Sequence, residues 1–298
     1  WSIFDFLMPG FLYSYRKFRE RYELPIVKNQ DPEALTALRR MTGPFVLRRL
    51  KKDVLRELPT KEERIVYSAA SGRQQKLYTA SALKLKEALA GGAWSGNGKL
   101  EVLSQLMRLR QICCDPALCF EDYTGESAKL ETCVSLIASA SAAGHKILLF
   151  SQFASMLERI RERLLQEGIS SHLLVGATPK EERSRMVQAF ASDEVPVFLI
   201  SLKAGGTGLN LTAADIVIHY DPWWNVAAQN QATDRAYRIG QEKPVTVYKL
   251  ILKDTIEENL LKLQNAKLAL AAQVVSEGMV SLGDLSQNEL MELFEQNP

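Results

Sequence analysis

Cysteine is scarce in this 298-residue chain: Cys113, Cys114, Cys119 and Cys133, with no Cys-x-x-Cys pair among them. Tetrahedral zinc ligation draws on spaced Cys/His pairs, so a zinc site has no support. The three histidines, His145, His172 and His219, are isolated from one another. Neither His-Glu-x-x-His nor Gly-x-Ser-x-Gly occurs, which removes the zincin and serine-hydrolase signatures. No apolar run reaches the roughly 18–20 residues that cross a bilayer. No charged start with an apolar core suggests a secretory signal. The thiols are therefore expected to be reduced and buried, in an intracellular protein. Two further absences bear on nucleotide chemistry: there is no Gly-x4-Gly-Lys-Ser/Thr phosphate loop (Walker A) and no acidic box after a strand. The chain opens on Trp1 rather than methionine, which suggests that it is cut from something longer.

What is present is ordinary globular composition, 46% hydrophobic and 24% charged, enough for a sizeable core and two domains. Net charge is only +2, but its distribution is uneven. Arg39 to Arg64 carries nine Lys/Arg against four Asp/Glu, while 276–298 holds five acids and no base. A solvated helix face explains the basic stretch as readily as a partner does.

The pattern divides the chain. Residues 1–121 read as mostly helical; Leu100–Arg110 has apolar residues at three- and four-residue spacing. The four glycines between Ala90 and Gly98, and the turn-rich Asp122–Ser127, are the joints. From 128 onward short apolar runs alternate with helical segments. The runs are Lys146–Ser151, His172–Val175, Val195–Ser201, Ile216–Tyr220 and Val245–Leu252. The helices are Lys129–Ala143, Ala154–Glu167, Lys180–Ala191, Asn225–Tyr237 and Ile256–Val275. That alternation predicts an α/β fold with a parallel sheet flanked by helices, ligands sitting at the strands' carboxyl ends.

Two segments that follow such ends, and one on the helix leading to Gln241, stand out. Ser201-Leu-Lys-Ala-Gly-Gly-Thr-Gly-Leu-Asn210 packs three glycines into four positions, which lets backbone approach an anion closely. A dinucleotide fingerprint is disfavoured, because Leu211 stands at the third glycine and Asp221 comes only 13 positions after Gly208. Asp234-Arg-Ala-Tyr-Arg-Ile-Gly-Gln241 sets Arg235 and Arg238 at i and i+3. Two neighbouring guanidiniums suit a polyphosphate, which planar forks grip bidentately; a salt-bridged surface helix is the bland alternative. Tyr220-Asp-Pro-Trp-Trp-Asn225 carries adjacent tryptophans, one expected at an exposed cleft, with core packing the even-handed alternative.

With these residues in view, the chain resembles the C-terminal half of a Swi/Snf-type ATPase, a double-stranded-DNA translocase of helicase superfamily two. Trp1–Gly10 resembles the segment after motif III. Phe45–Val54 with Glu57–Lys61 is similar to the basic junction between lobes, and Leu109–Leu118 to the second helical protrusion. Lys146–Phe153 resembles motif IV, Val175–Pro179 with Arg183 and Phe190 the following segment, Ser201–Asp215 motif V and Gln231–Gln241 motif VI. Val226 replaces a common proline, and Gln229 stands where an acid is frequent.

The resemblance implies a RecA-like lobe, the P-loop NTPase fold without a Walker A, over 128–275. It would be preceded by the end of a first lobe, helical protrusions and linker over 1–127, and followed by an acidic helical tail over 276–298. It implies Arg238 and Arg235 as catalytic arginines, with Gly205, Gly206, Gly208, Gln231 and Asp234 near the nucleotide. Ser151, Gln152, Lys203, Asn210, Thr212 and Trp224 are the implied DNA contacts. The implied cofactor is ATP with Mg2+, held mainly by a first lobe absent from this chain, so the chain alone is expected not to hydrolyse ATP. Implied partners are double-stranded DNA, the N-terminal RecA-like lobe of the same protein and a protein–DNA complex, but no membrane. The protein is expected to be a monomer of the nucleus, or of the bacterial cytoplasm and nucleoid. A strand-separating helicase lobe and a standalone, non-catalytic DNA-binding module are the alternatives.

Overall fold

The computed structural model describes residues 1–29, 31–46, 58–70, 72–91, 98–202, 204, 208–262 and 264. The chain forms two units, Trp1–Arg56 and Glu57–Pro298.

The first unit is helical: α1 (Ser2–Leu7), α2 (Tyr15–Phe18), a wide turn over Arg19–Glu23, α3 (Leu24–Asn29) and α4 (Pro32–Thr42). Asp31 starts α4 by accepting from the amides of Glu33 and Ala34, with Pro32 as first helical residue; this pairs an acidic cap with a preset φ. Tyr22 is buried and donates to Met41 Sδ at 3.2 Å. The rings of Phe4, Phe11 and Phe45 pack together.

The second unit is a six-stranded, all-parallel sheet in the order β1-β6-β5-β2-β4-β3. Its strands are β1 (Lys61–Ser68), β2 (Ile147–Ser151), β3 (Ser171–Leu174), β4 (Val197–Ser201), β5 (Ile216–His219) and β6 (Val245–Leu252). Central β2, β4 and β5 are buried at every residue, as continuous apolar runs require when helices cover both faces. Side chains alternate across the sheet. Ile147, Leu149, Ile216, Ile218 and Leu250 meet α7 (Ala128–Ala142) and α8 (Ala154–Gln166). Leu148, Phe150, Phe198, Ile200, Val217 and Val247 meet Phe190 of α9 (Lys180–Ser192) and Ala232 of α10 (Val226–Thr233). A third cluster joins α5 (Gly72–Ala90) and α6 (Gly98–Cys114) to Trp224, Leu252, Ile256 and Leu260. Gly144 and Gly168, with φ of 79° and 74°, follow α7 and α8 and turn the chain back to the sheet.

Two expectations need correction. Residues 61–68 lie in the stretch read as mostly helical, yet they form edge strand β1, registered from Lys61↔Val245 to Ser68↔Leu252. And α10 ends at Thr233, not Tyr237, so Arg235 and Arg238 ride on the tight turns beyond it rather than on a helical face. Residues 256–262 are helical as expected. The remainder of that predicted helix and the acidic tail, apart from Gln264, lie outside the described residues, as does most of the basic junction.

Candidate nucleotide and nucleic-acid interface

The loops after β2, β4 and β5 gather at one end of the sheet, because parallel strands all finish there. The turn after α10 joins them. Leu211 donates its amide to the Arg235 carbonyl at 3.0 Å, tying the glycine-rich segment to the arginine turn. Gln241, 6% exposed, reinforces that tie. Its Nε2 lies 3.1 Å from the Thr212 carbonyl, 2.8 Å from that of Ala214 and 3.2 Å from that of Ala236. Its Oε1 accepts from the Lys243 amide at 2.9 Å. Arg183 does similar work upstream, donating to the carbonyls of Gly176, Thr178 and Ala204 at 2.9, 2.8 and 3.1 Å. Neither side chain is given this role by the sequence reading; the signal was only their place in the matched motifs.

Arg235 is 7% exposed, with its guanidinium carbon 6.0 Å from the Phe150 ring centre. Its Nε and Nη1 are buried without a hydrogen-bond partner among the described residues. Burial lowers its pKa below the ordinary guanidinium value. Arg238 is half-buried, and no ion pair or side-chain hydrogen bond among the described residues engages it. Among the described residues neither arginine makes the ion pair that the salt-bridged surface-helix alternative calls for. Below Arg235, His219 stacks on Phe150 at 5.7 Å and bonds Thr233 Oγ1 through Nε2 at 2.9 Å. Burial pushes the His219 pKa from 6.5 down to about 3, so the ring stacked on Phe150 is neutral.

That shift has a stability consequence. The folded state refuses a proton that the unfolded chain accepts, so stability is present above pH 6.5 and declines as pH falls towards 3. Urea unfolding of His219→Gln should lose up to about one proton's share of the slope between pH 6.5 and 4, roughly 1.4 kcal/mol per unit. An unchanged slope would show that His219 titrates normally.

The other predicted residues divide. Gly208, Asn210 and Gln231 are exposed, and Thr212 and Asp234 are half-buried. A Cβ on Gly208 would meet no atom within 4 Å, so the chain's own packing does not require glycine there. Lys203, Gly205 and Gly206 lie outside the described residues.

Three of the expected DNA contacts are engaged within the chain. Ser151 is 0% exposed; its hydroxyl donates to Asp221 Oδ1 at 2.6 Å and accepts from the Phe153 amide at 3.1 Å. Gln152 has both ends of its amide engaged, by Asp221 and by Arg110. Trp224, in the pair of which one ring was expected at an exposed cleft, is 9% exposed and packs in the α5–α6 cluster. Its neighbour Trp223 is half-buried against the same cluster. The core-packing alternative describes this pair. Gln229, standing where an acid was expected, accepts from the Trp223 amide and settles the loop into α10.

Comparison with known proteins agrees with the fold. Residues 128–240 match the helicase conserved C-terminal domain, and residues 1–118 match the SNF2-related domain. YwqA of Bacillus subtilis, named for an ATP-dependent helicase/translocase activity, is 42% identical over 99% of this chain and 32% of its own length. The mouse SWI/SNF-related matrix-associated actin-dependent regulator of chromatin subfamily A member 1 is 33% identical over 99% of this chain and 29% of its own. The chain thus spans about a third of the length of these curated relatives. Among solved structures, the Sulfolobus solfataricus SWI2/SNF2 ATPase core in complex with dsDNA aligns with a TM-score of 0.67 and 35% identity. It covers 99% of this chain and 63% of that one. The C-terminal domain of the S. solfataricus SWI2/SNF2 ATPase aligns at 0.65 and 31%, over 80% of this chain and 100% of that domain. An all-parallel RecA-like sheet and these likenesses converge: the chain belongs to the SWI2/SNF2 family of ATPases, as its C-terminal half.

Proposed function

We propose that this chain is the second lobe of an ATP-dependent translocase on double-stranded DNA, supplying Arg235 and Arg238 to a nucleotide held mainly by a first lobe of the same protein. The observation that carries the reading is Arg235: a guanidinium nearly free of water with two of its nitrogens, Nε and Nη1, lacking a hydrogen-bond partner among the described residues. A buried polar group left without a partner costs about 1–3 kcal/mol, and a charged one more. Oxyanions brought from outside the chain would relieve that cost, and half-buried Arg238, three residues on, offers a second fork.

ATP with Mg2+, when bound, supplies the phosphoryl-transfer chemistry. The chain's residues do the rest. Arg235 and Arg238 neutralise charge across the lobe boundary, Arg238 as the better-placed finger because it is the more exposed. Gly208, Gln231 and Asp234 are proposed neighbours of the nucleotide, as are Gly205 and Gly206. Gln241 and the Leu211–Arg235 bond hold the arginine turn in register with Asn210 and Thr212. Asn210, Thr212 and Lys203 are the proposed contacts to DNA phosphates. Such contacts are independent of sequence and weakened by salt.

The assay is ATP turnover of the full-length protein, with and without blunt duplex DNA, beside the chain alone. Duplex DNA should stimulate the full-length protein, which should displace a third strand from a triplex without separating the duplex. The chain alone should hydrolyse no ATP. Duplex separation would favour the strand-separating helicase, and hydrolysis by the chain alone would overturn the shared-site reading.

A further inference from the structure

Among the described residues Arg110 is the largest fully buried side chain, 1% exposed near the C-terminal end of α6. α6 lies outside every segment matched to a catalytic motif, yet its guanidinium reaches the carboxyl end of the sheet. Nη1 donates to Gln152 Oε1 at 2.9 Å, and Nη2 donates to the Pro222 carbonyl at 2.6 Å. Asp221 Oδ2 stands 3.8 Å from Nη2. The rings of Phe153 and Trp224 flank the group, with centres 5.9 and 5.6 Å away.

Asp221, also 1% exposed, completes the lattice. It accepts from Ser151 Oγ, the Gln152 amide and Gln152 Nε2. A buried charge pair is kept only if its hydrogen bonds are satisfied, and removing one partner strands the other. Here one guanidinium fixes two loops at once, 151–153 after β2 and 221–224 after β5. Those loops contain Ser151 and Gln152, hydrogen-bonded within this lattice, and Trp224, whose ring packs against Arg110.

We propose that Arg110 is a positioning residue for the DNA response: it locks loops 151–153 and 221–224 to the α5–α6 helical pair, so that helices and sheet end engage duplex DNA together. The inference rests on the functional reading above. It reassigns Ser151, Gln152 and Trp224 from contacts to platform, and gives the helical pair a mechanical link to the lobe. Lysine at 110 would keep the buried cation opposite Asp221 but could not fork between Gln152 and the Pro222 carbonyl.

The test uses the full-length protein with Arg110→Met and Arg110→Lys. For each, ATP turnover without DNA, turnover at saturating duplex and the half-saturating duplex concentration are measured. Arg110→Met should raise the half-saturating concentration about tenfold or more with DNA-free turnover within about twofold of wild type, and Arg110→Lys should raise it less. If Arg110→Met fails to fold, Arg110→Lys carries the test alone. Amide exchange supplies the second readout: Arg110→Lys should speed exchange in 151–153 and 221–224 while α7 and α8 stay protected. Unchanged duplex dependence, or equal loss of turnover with and without DNA, would overturn the proposal, and so would unaltered exchange in both loops. Wild-type turnover indifferent to duplex is a separate outcome, which overturns the functional reading and this inference's DNA claim with it.

Discussion

Arg238→Ala in the full-length protein is expected to lower duplex-stimulated ATP turnover at least about 100-fold while nucleotide affinity stays within a few-fold. The size follows from what a trans-acting arginine contributes to phosphoryl transfer, on the order of 10³–10⁵ in rate. The split between rate and binding follows from where the charge acts: a group that meets the nucleotide only as the lobes close affects kcat far more than ground-state affinity. Arg238 suits this because it is half-buried and no acid among the described residues holds it. Arg235→Ala should behave differently. It also removes a desolvated charge packed over Phe150, so the folded protein gains stability or holds level while turnover falls. Near-normal turnover in Arg238→Ala would reject the finger assignment.

Lys129→Met is the second large effect, and it falls on stability. Lys129 and Glu257 are 0% and 1% exposed, with Nζ 2.5 and 2.7 Å from the two carboxylate oxygens. Glu257 also accepts from the Leu252 amide at 2.8 Å, so the pair clamps the start of α7 to the end of β6 and the helical residues that follow. Removing the lysine strands a buried carboxylate, for which losses of about 3–5 kcal/mol are typical. Urea unfolding should register that loss. Adding Glu257→Gln to Lys129→Met should recover much of it, because the neutral amide still accepts from Leu252 and no charge is left unpaired. A loss under about 1 kcal/mol, or no recovery in the double variant, would show that the pair is better solvated than its burial indicates.

Much of the lobe was legible in the sequence, for a physical reason. Ile147–Ser151, Val197–Ser201 and Ile216–His219 are buried on both faces, and a strand buried on both faces reads as a nearly continuous apolar run. β1 carries no such mark. Lys61, Glu62, Glu63 and Arg64 open it, it is exposed along most of its length, and its partner lies some 180 residues downstream. An edge strand needs polar residues to discourage further pairing, and those residues disguise it. The arginine pair was legible as a pair, but its setting was not. The spacing fits a helix, whereas α10 stops at Thr233, where His219 and Gln229 capture the hydroxyl. The engagement of Gln152 and Trp224 with Arg110 was not legible, because Arg110 is 42 or more positions away in the chain. Long-range polar lattices leave no local pattern to find.

The central claim is that the arginine turn serves a triphosphate gripped elsewhere. Its most direct test is modification of Arg238 by phenylglyoxal, followed by peptide mapping, with and without ADP–aluminium fluoride and duplex DNA. The account predicts that the nucleotide analogue shields Arg238 in the full-length protein and leaves it reactive in this chain alone. Equal shielding in the isolated chain, or none in the full-length protein, would contradict it.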